Sequence, residues 1–405
     1  MEKLKHREHD FSAKLRQNSV IGHLREYILW KRSTEAGALS RTLPAYGPIS
    51  INLDITSACN FACPHCVDSQ IITTGQSMKL DDVRSSIDTL QDHGLLSVIL
   101  IGGGEPTVHK DFEDIVRHVK NCGLQLGIVT NGARLDRVAV VAGLMEKKDW
   151  LRLSLDAATQ KTFEMSHRPR FRVNLLDILA NARAIKSANP DISLGYSFVI
   201  VWEGIRLNGN ELCPNIQEMA DAVRLAGQYQ FDYVSFKPCL IRLQGTQKES
   251  LLDHIEREQE QKIRQAVRSS LQKAKDAAAG TPAILESINL RAMMEDRVEE
   301  LKTQPHSCHL QFFRTVVSPS GIFHCPAFRG VDKARVAGSA GYADKQDFDK
   351  TLQNVGKSIT EFDAIRECSV VGCFYHHVNW WIEDFIQSDR SVDEIQQIED
   401  DNFFL

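Results

Sequence analysis

Three cysteines lie close together in one short stretch of the sequence, LDITSACNFACPHCVDSQ at residues 53–70. Cys59, Cys63 and Cys66 follow an alternating apolar run that is typical of a β-strand. Structural zinc and structural iron–sulfur sites take a full set of four protein ligands. Three thiolates on a four-iron cube would leave one iron open to a small molecule, as in catalytic zinc sites. The spacing therefore favours a reactive metal centre, although a zinc knuckle that uses His65 or a distant fourth ligand stays open.

A second apolar run ends in glycines. The stretch LSVILIGGGEP, residues 96–106, places Gly102, Gly103, Gly104 and Glu105 at the end of a buried strand. Glycines at a strand end let the backbone approach a ligand without a Cβ in the way. Backbone carbonyls there could accept hydrogen bonds from an ammonium group, with the Glu105 carboxylate nearby.

Together, the cysteine loop, with His65 before its last cysteine, and the GGE strand end resemble the radical S-adenosylmethionine (SAM) superfamily over roughly residues 50–240. The resemblance implies that Cys59, Cys63 and Cys66 hold a [4Fe–4S] cluster. Its open iron would bind the amino and carboxylate groups of SAM. An electron would cleave the sulfonium to a 5′-deoxyadenosyl radical, which takes a hydrogen atom from the substrate. It also implies an external electron donor such as flavodoxin or ferredoxin.

Polar residues follow the next two predicted strands, and the resemblance makes them cofactor-binding candidates. Thr130 and Asn131 end the third strand, and Ser154 and Asp156 end the fourth, where Arg152 shares their face. From the residues alone, a capping or turn role is equally compatible, for example Asp156 as a helix cap. Weaker cofactor or substrate candidates are Arg206, Asn208 and Lys237.

The elements that must position these residues alternate regularly along the chain. Six strand patterns between residues 49 and 244 take turns with amphipathic helix patterns, which predicts an α/β fold with a parallel sheet. Functional groups in such folds gather at the carboxyl ends of the strands, where each motif falls. The fold class that the resemblance implies is a partial (β/α)6 TIM-like barrel. The strand patterns are ISINLDIT, LSVILIGGG, LQLGIVTNG, WLRLSLD, ISLGYSFVIVW and FDYVSFKP.

Three further segments flank the predicted barrel at 49–244. Residues 1–48 predict an N-terminal helical extension. Residues 245–303 predict a helical linker or insertion, either a solvated arm or a substrate lid, whose second helix covers AILESINLRAMMEDRVEELK. Residues 304–405 predict a small C-terminal domain with a β-hairpin in FFRTVVSPSGIFHCPAF.

Four cysteines of the C-terminal segment make a full ligand set for one closed cluster. Cys308, Cys325, Cys368 and Cys373 resemble the twitch domain, a shorter relative of the SPASM domain, which implies one auxiliary [4Fe–4S] cluster. Four residues separate Cys368 from Cys373 where a Cys-x2-Cys pair is commoner. Gly321 also lies one residue closer to Cys325 than the usual SPASM spacing. A zinc site with four cysteines therefore stays open.

The remaining three cysteines have no ligand pattern. Cys239 follows the sixth strand, where substrate should lie, and in resembling epimerases such a thiol donates a hydrogen atom. A buried core thiol is the alternative. Cys213 reads as a loop thiol and Cys122 as a packing residue.

Composition limits the function classes. The chain has 405 residues, is 42% hydrophobic and carries a net charge of −5, which gives no electrostatic case for nucleic acid or an anionic membrane. The charged start is unlike a signal peptide, and the apolar runs are too short to span a bilayer. We expect a soluble cytoplasmic protein whose ten cysteines are ligands, reactive thiols or core residues rather than disulfides.

Taken with the resemblance to the radical SAM superfamily, the cysteine motifs predict a radical SAM enzyme that oxidises a small polar metabolite, such as a sugar, aminocyclitol or nucleoside, by two electrons. One alternative is an epimerase that uses Cys239 as hydrogen donor, and another is modification of a ribosomally made peptide. A third, from another class, is a non-catalytic zinc or iron–sulfur binding protein. That class does not explain why the first site stops at three cysteines beside a GGE strand.

Overall fold

The computed structural model describes residues 11–35, 43–72, 74–207, 209–242, 249–251 and 256–400. Within them, a ten-stranded sheet has the order β7-β6-β5-β4-β3-β2-β1-β8-β9-β10. The six predicted strands are confirmed, and they pair in parallel in chain order. The strands are β1 (Ser50–Leu53), β2 (Ser97–Leu100), β3 (Gln125–Thr130), β4 (Trp150–Ser154), β5 (Ser193–Ile200), β6 (Tyr233–Pro238), β7 (Ala283–Glu286), β8 (Arg314–Ser318), β9 (Gly321–Phe323) and β10 (Arg335–Ala337).

Helices connect the parallel strands and cover the sheet. Every residue of β1 and β2 is buried, including the polar Ser50 and Asn52 of β1, as expected for parallel strands that are covered on both faces. The amphipathic patterns predicted for the connecting helices are confirmed, for example in α3, where Val83, Ile87 and Leu90 are buried. The helices are α1 (Phe11–Leu15), α2 (Ile21–Glu35), α3 (Leu80–Asp92), α4 (Phe112–Asn121), α5 (Leu135–Val141), α6 (Gln160–His167), α7 (Leu175–Ala188), α8 (Met219–Gln228), α9 (Arg257–Ala278), α10 (Ile288–Met294), α11 (Leu310–Phe313), α12 (Lys345–Glu361), α13 (Ala364–Glu367) and α14 (His376–Gln387).

The predicted helical insertion contains a strand. Residues Ala283–Glu286, which we expected to begin its second helix, form β7 and pair in parallel with β6. The helix begins later because the Ser287 hydroxyl accepts a hydrogen bond from Leu290 N at 3.2 Å and caps α10. The first helix, α9, packs on α8 and buries Ile263, Val267 and Leu271, three apolar residues at helical spacing. Leu252 and Ile255, which the sequence places on the same apolar stripe, lie outside the described residues.

The predicted C-terminal hairpin is confirmed, and it continues the barrel sheet. Strands β8 and β9 pair antiparallel, and β8 pairs in parallel with β1, with Ser50 opposite Arg314. This pairing covers an edge of β1 that would otherwise expose unpaired backbone groups. The cysteines on either side of the hairpin are therefore fixed relative to the strand that leads into the cysteine loop.

Helix α2, in the predicted N-terminal extension, packs against α14 near the other end of the chain. The Tyr27 hydroxyl lies 2.8 Å from Nδ1 of the buried His309, whose Nε2 lies 2.8 Å from Glu383. In the described part of the chain, no helix has the length and apolar composition needed to cross a membrane.

Candidate functional site

The three-cysteine loop follows β1 and ends before α3. The thiols of Cys59, Cys63 and Cys66 are half-buried, and none forms a disulfide. Burial raises the pKa of Cys63 well above the ordinary thiol value, and negative charge on Cys66 and Cys59 raises it further. Burial likewise raises the pKa of Cys66 to about 12. The three sulfur atoms therefore share one poorly solvated region, where a bound cation would favour the thiolates.

Backbone hydrogen bonds fix one side of this loop against residues 167–170. The amide of Ala62 donates to His167 O at 3.1 Å, and the amide of Arg170 donates to Asn60 O at 3.1 Å. The sulfur of Cys63 lies 3.3 Å from Nδ1 of His167. The segment after α6 is thus part of the wall of the cysteine site, a role that no local motif in the sequence had indicated.

Asp156 contacts the cysteine loop directly. Its Oδ2 lies 3.1 Å from Nε2 of His65, and its Oδ1 accepts a hydrogen bond from Val199 N at 2.7 Å. Burial acts to raise the pKa of Asp156, but the hydrogen bond from His65 and the charges of His167 and His65 bring it below the usual range. Thr159, not Asp156, caps α6, so the capping alternative for Asp156 is wrong.

The glycine segment after β2 packs tightly against the cysteine loop. Gly102 and Gly103 have φ of +65° and +67°, which residues with a Cβ rarely adopt. A Cβ on Gly104 would overlap the carbonyl oxygens of Ala58 and Thr56. The amide of Glu105 also donates to Ala58 O at 2.8 Å. The close approach expected of these glycines therefore brings two loops together beside the cysteines.

The carboxylate of Glu105 binds protein groups on every side. It accepts hydrogen bonds from the hydroxyls of Thr107 and Thr130, both at 2.6 Å, and from Asn131 N at 2.8 Å. Burial raises the pKa of Glu105, and these hydrogen bonds oppose the rise. The side-chain Nδ2 of Asn131 donates to Asn60 Oδ1 at 2.7 Å. Glu105 and Thr130 thus join the ends of β2 and β3 and support the cysteine loop through Asn131.

A buried ion cluster beside this site was not predicted from the sequence. Nε of Arg329 lies 2.7 Å from Asp54, and its Nη1 lies 2.8 Å from Asp68, with all three side chains buried. The amide of Gly103 donates to Asp68 at 3.3 Å. Burial raises the pKa of Asp54 to about 7; Arg329 opposes the rise, and the negative charge of Asp68 adds to it. Arg329 and Asp68 are 261 positions apart, so no local pattern could have joined them.

The four C-terminal cysteines gather around one small apolar cluster. Cys368 belongs to this cluster, and Cys308, Cys325 and Cys373, although distant in sequence, pack against it. Burial raises the pKa of Cys373 to about 12, and negative charge on Cys308 adds to the rise. Four soft thiol donors with an apolar shell fit either an iron–sulfur cube or zinc. The apolar cluster comprises Val316, Phe323, Phe328, Ala334, Phe362, Ala364 and Val371.

Of the remaining cysteines, Cys239 is 1% exposed, and its sulfur lies 3.7 Å from Leu240 O. Burial raises its pKa to about 12, with a contribution from the charge of Asp156. Cys213 is half-buried, 3.9 Å from the sulfur of Met165. Cys122 follows the last residue of α4, where it is half-buried and packs against the main apolar core, so its packing interpretation is confirmed; its sulfur lies 3.8 Å from His118 Nε2.

The other polar candidates are more scattered. Ser154 and Lys237 are half-buried at the ends of β4 and β6. Arg206 is exposed in a short strand, Arg206–Leu207, that pairs antiparallel with Asn210–Glu211. Arg152 is buried, with its guanidinium 5.2 Å from the centre of the Trp150 ring. Asn208 lies outside the described residues.

Residues 53–205 match the Radical SAM superfamily. This part of the chain belongs to that superfamily. Its membership implies a [4Fe–4S] cluster that binds SAM, and the loop that carries Cys59, Cys63 and Cys66 lies within the matched radical SAM region.

Two curated relatives are similar in sequence to part of this chain. An S-adenosylmethionine-dependent nucleotide dehydratase from Selenomonas ruminantium is 35% identical over 181 residues, 43% of this chain and 63% of that protein. PqqA peptide cyclase from Bradyrhizobium diazoefficiens is 31% identical over 91 residues, 22% of this chain and 24% of that enzyme. The chain thus spans less than two thirds of the length of these curated relatives.

Solved structures share the fold of this chain. Streptococcus suis SuiB superposes with a TM-score of 0.56 at 14% identity, over 89% of this chain and 78% of SuiB. Native anSMEcpe with bound AdoMet and Cp18Cys peptide gives a TM-score of 0.53 at 12% identity, over 84% of this chain and 96% of anSMEcpe. At these identities the likeness concerns the fold alone.

Proposed function

We propose that the protein is a radical SAM enzyme in which Cys59, Cys63 and Cys66 hold the [4Fe–4S] cluster. When bound, the cluster and SAM supply a 5′-deoxyadenosyl radical that removes a hydrogen atom from the substrate. The observation that carries this proposal is the shared burial of three thiols, with the Gly102–Gly104 segment packed against their loop. A site built only for structure has no need to stop at three ligands.

The surrounding residues would position SAM. Carbonyls of the Gly102–Gly104 segment would accept hydrogen bonds from its amino group, because no Cβ blocks their approach. Glu105, Thr130 and Asn131 would keep this strand end and the cysteine loop in register through their own hydrogen bonds. Asp156 would orient the loop through His65, leaving Ser154 as a candidate for direct contact with SAM or substrate.

We further propose one auxiliary [4Fe–4S] cluster held by Cys308, Cys325, Cys368 and Cys373. Their common apolar shell supports a single closed site within a C-terminal unit of residues 304–405. Residues 49–244 would form the radical SAM barrel, and residues 245–303 would link the two. A fully ligated cluster leaves no iron for substrate and suits electron transfer.

A net two-electron oxidation of a small polar metabolite is the reaction that this arrangement favours. Four thiols around one apolar cluster support oxidation more strongly than the single Cys239 supports epimerisation. Cys239 is 1% exposed, and its sulfur contacts a backbone carbonyl. The name of the Selenomonas relative, a nucleotide dehydratase, supports a nucleoside-type substrate. The other relative's name, a peptide cyclase, keeps a peptide substrate as the second candidate. The electron donor would be a flavodoxin or ferredoxin.

One observation keeps epimerisation as an alternative outcome. With a pKa near 12, the Cys239 thiol keeps its hydrogen at neutral pH and could donate it to a carbon radical. Turnover in deuterated water decides between the two outcomes, since a thiol exchanges its hydrogen with solvent. Deuterium at an inverted carbon, lost in Cys239→Ala, would establish epimerisation. An oxidised product that Cys239→Ala forms equally well would exclude it.

The proposal can be tested by electron paramagnetic resonance on the anaerobically reconstituted, reduced protein. If one iron is open, added SAM must change the signal of the three-cysteine cluster, and Cys63→Ala must lack that signal. A protein that binds zinc, or whose signal ignores SAM, would instead fit the non-catalytic class.

A further inference from the structure

A short loop beside the cysteine site carries three exposed arginines. In this arginine loop, residues 168–172 with the sequence RPRFR, Arg168, Arg170 and Arg172 are exposed, and so is Phe171, at 47%. No Asp or Glu occurs from Met165 to Leu176. In a chain of net charge −5, the loop is a local concentration of positive charge around one aromatic ring.

The loop is joined to the cysteine loop through the backbone. Phe61 and Pro169 form an antiparallel bridge, and Ala62 N also lies 3.2 Å from Arg168 O. These contacts fall between Cys59 and Cys63. The arginine loop is thus the exposed layer directly over the segment that carries two of the three proposed ligands.

Within the described residues, none of the three guanidinium groups forms an ion pair with a carboxylate. Arg168 donates only to the amide oxygen of Asn210, at 3.3 Å. Other exposed arginines of this chain pair with nearby acids, as Arg297 does with Glu300. The positive potential of the arginine loop is therefore left for a partner to neutralise.

We propose that the arginine loop is the docking site of an acidic one-electron carrier protein that reduces the three-cysteine cluster, an inference that rests on the function proposed above. The docked carrier is oxidised by one electron, and the cluster is reduced by one. Electron-transfer encounters are small and transient, and complementary charge raises their association rate, which fits a short loop with three exposed arginines and one exposed ring. An anionic substrate could also bind the arginine loop, so the experiment must distinguish substrate binding from docking of the carrier protein.

The experiment compares two charge-reversed variants of the reconstituted holoenzyme. Arg168→Glu/Arg172→Glu reverses the charge of two side chains and keeps the backbone hydrogen bonds between this loop and the cysteine loop. Arg170 is left unchanged because its charge acts on the proposed ligand Cys59. The matched control Lys262→Glu/Lys273→Glu makes the same charge change on the exposed face of α9. Cluster reduction is followed by stopped-flow bleaching with two reductants, dithionite and an acidic flavodoxin kept reduced by its NADPH-dependent reductase.

The loop variant should be reduced by flavodoxin at least about tenfold more slowly, and its rate should lose most of its salt dependence. Dithionite should reduce it as fast as the wild type, and the control variant should behave as the wild type with both. Binding of oxidised flavodoxin, measured by calorimetry at low salt, should weaken in parallel.

Flavodoxin binding and reduction equal to those of the wild type would overturn the proposal. So would an unchanged flavodoxin rate combined with weaker binding of an anionic substrate, because the loop would then be a substrate site. If Arg168→Glu/Arg172→Glu fails to fold, Arg168→Gln/Arg172→Gln repeats the comparison with half the charge change. Failure of the proposed function looks different: the wild type would be reduced by flavodoxin yet show no response to SAM.

Discussion

Nε of Arg329 lies 2.7 Å from Oδ2 of Asp54, and this contact joins the segment after Cys325 to the end of β1. The same guanidinium binds Asp68, two residues after Cys66. One buried cation therefore holds together the segments that carry ligands of both proposed clusters. Because a buried charge is stable only with its partner, the two loops are fixed relative to one another by the same interaction.

Removing the Arg329 guanidinium should lower the free energy of unfolding. We expect Arg329→Gln to destabilise the protein by about 3–5 kcal/mol, because it leaves two buried carboxyl groups without their counter-charge. The loss should appear in urea unfolding. Arg335→Gln is the matched control, since that exposed arginine pairs with Asp332 at the surface, where an ion pair contributes at most about 1 kcal/mol. Adding Asp54→Asn to Arg329→Gln should recover part of the loss; no recovery would contradict the pairing.

Asp54 should also impose a pH dependence on stability. Its pKa of about 7 in the folded protein lies above its usual value, so the folded state holds a proton that the unfolded chain releases between about pH 4 and pH 7. Stability from this site is therefore lost as the pH rises through that window. The midpoint temperature of the wild type should fall more between pH 5 and pH 8 than that of Asp54→Asn. Equal slopes in the two proteins would show that Asp54 titrates normally.

The glycine segment offers a test of close packing. Gly104→Ala would place a methyl group against the carbonyls of Ala58 and Thr56, so it should displace the cysteine loop and lower the iron content after reconstitution. Gly143→Ala is the control, because a Cβ at Gly143 has no atom within 4 Å. The packing would be refuted if both variants bound iron as the wild type does.

Strong local patterns made the barrel predictable. Runs such as LQLGIVTNG carry a buried strand and its turn within one window, and the cysteine spacing is itself local. The short segment at Ala283–Glu286 was misassigned because four apolar and helix-favouring residues fit a helix as well as a strand. The segment forms a strand because its backbone pairs in parallel with β6.

Contacts between residues far apart in the chain could not be predicted from the sequence. The Arg329–Asp68 pair and the pairing of β8 with β1 join residues more than 260 positions apart, and neither leaves a periodic signal. For Glu105, the sequence indicated a ligand-binding strand end but not that its carboxylate would bind Thr130 and Asn131. Residues that support a site through other residues carry no motif of their own.

The auxiliary site predicts a metal stoichiometry. The wild type should hold about eight iron atoms per chain in two cubes, and replacing Cys308, Cys325, Cys368 and Cys373 together by alanine should halve this number. A Cys122→Ala/Cys213→Ala variant, which removes thiols outside both sets, should keep the full content. One zinc with a single cube would show that the C-terminal site is structural zinc.

Formation of 5′-deoxyadenosine from SAM by the reduced, reconstituted protein is the most direct test of the radical SAM assignment. The wild type and Cys122→Ala should form it when dithionite supplies the electron. Cys59→Ala, Cys63→Ala and Cys66→Ala should each form none, because three thiolates leave no spare ligand for the cluster. Undiminished 5′-deoxyadenosine from any of those three variants, or none from the wild type, would contradict the account.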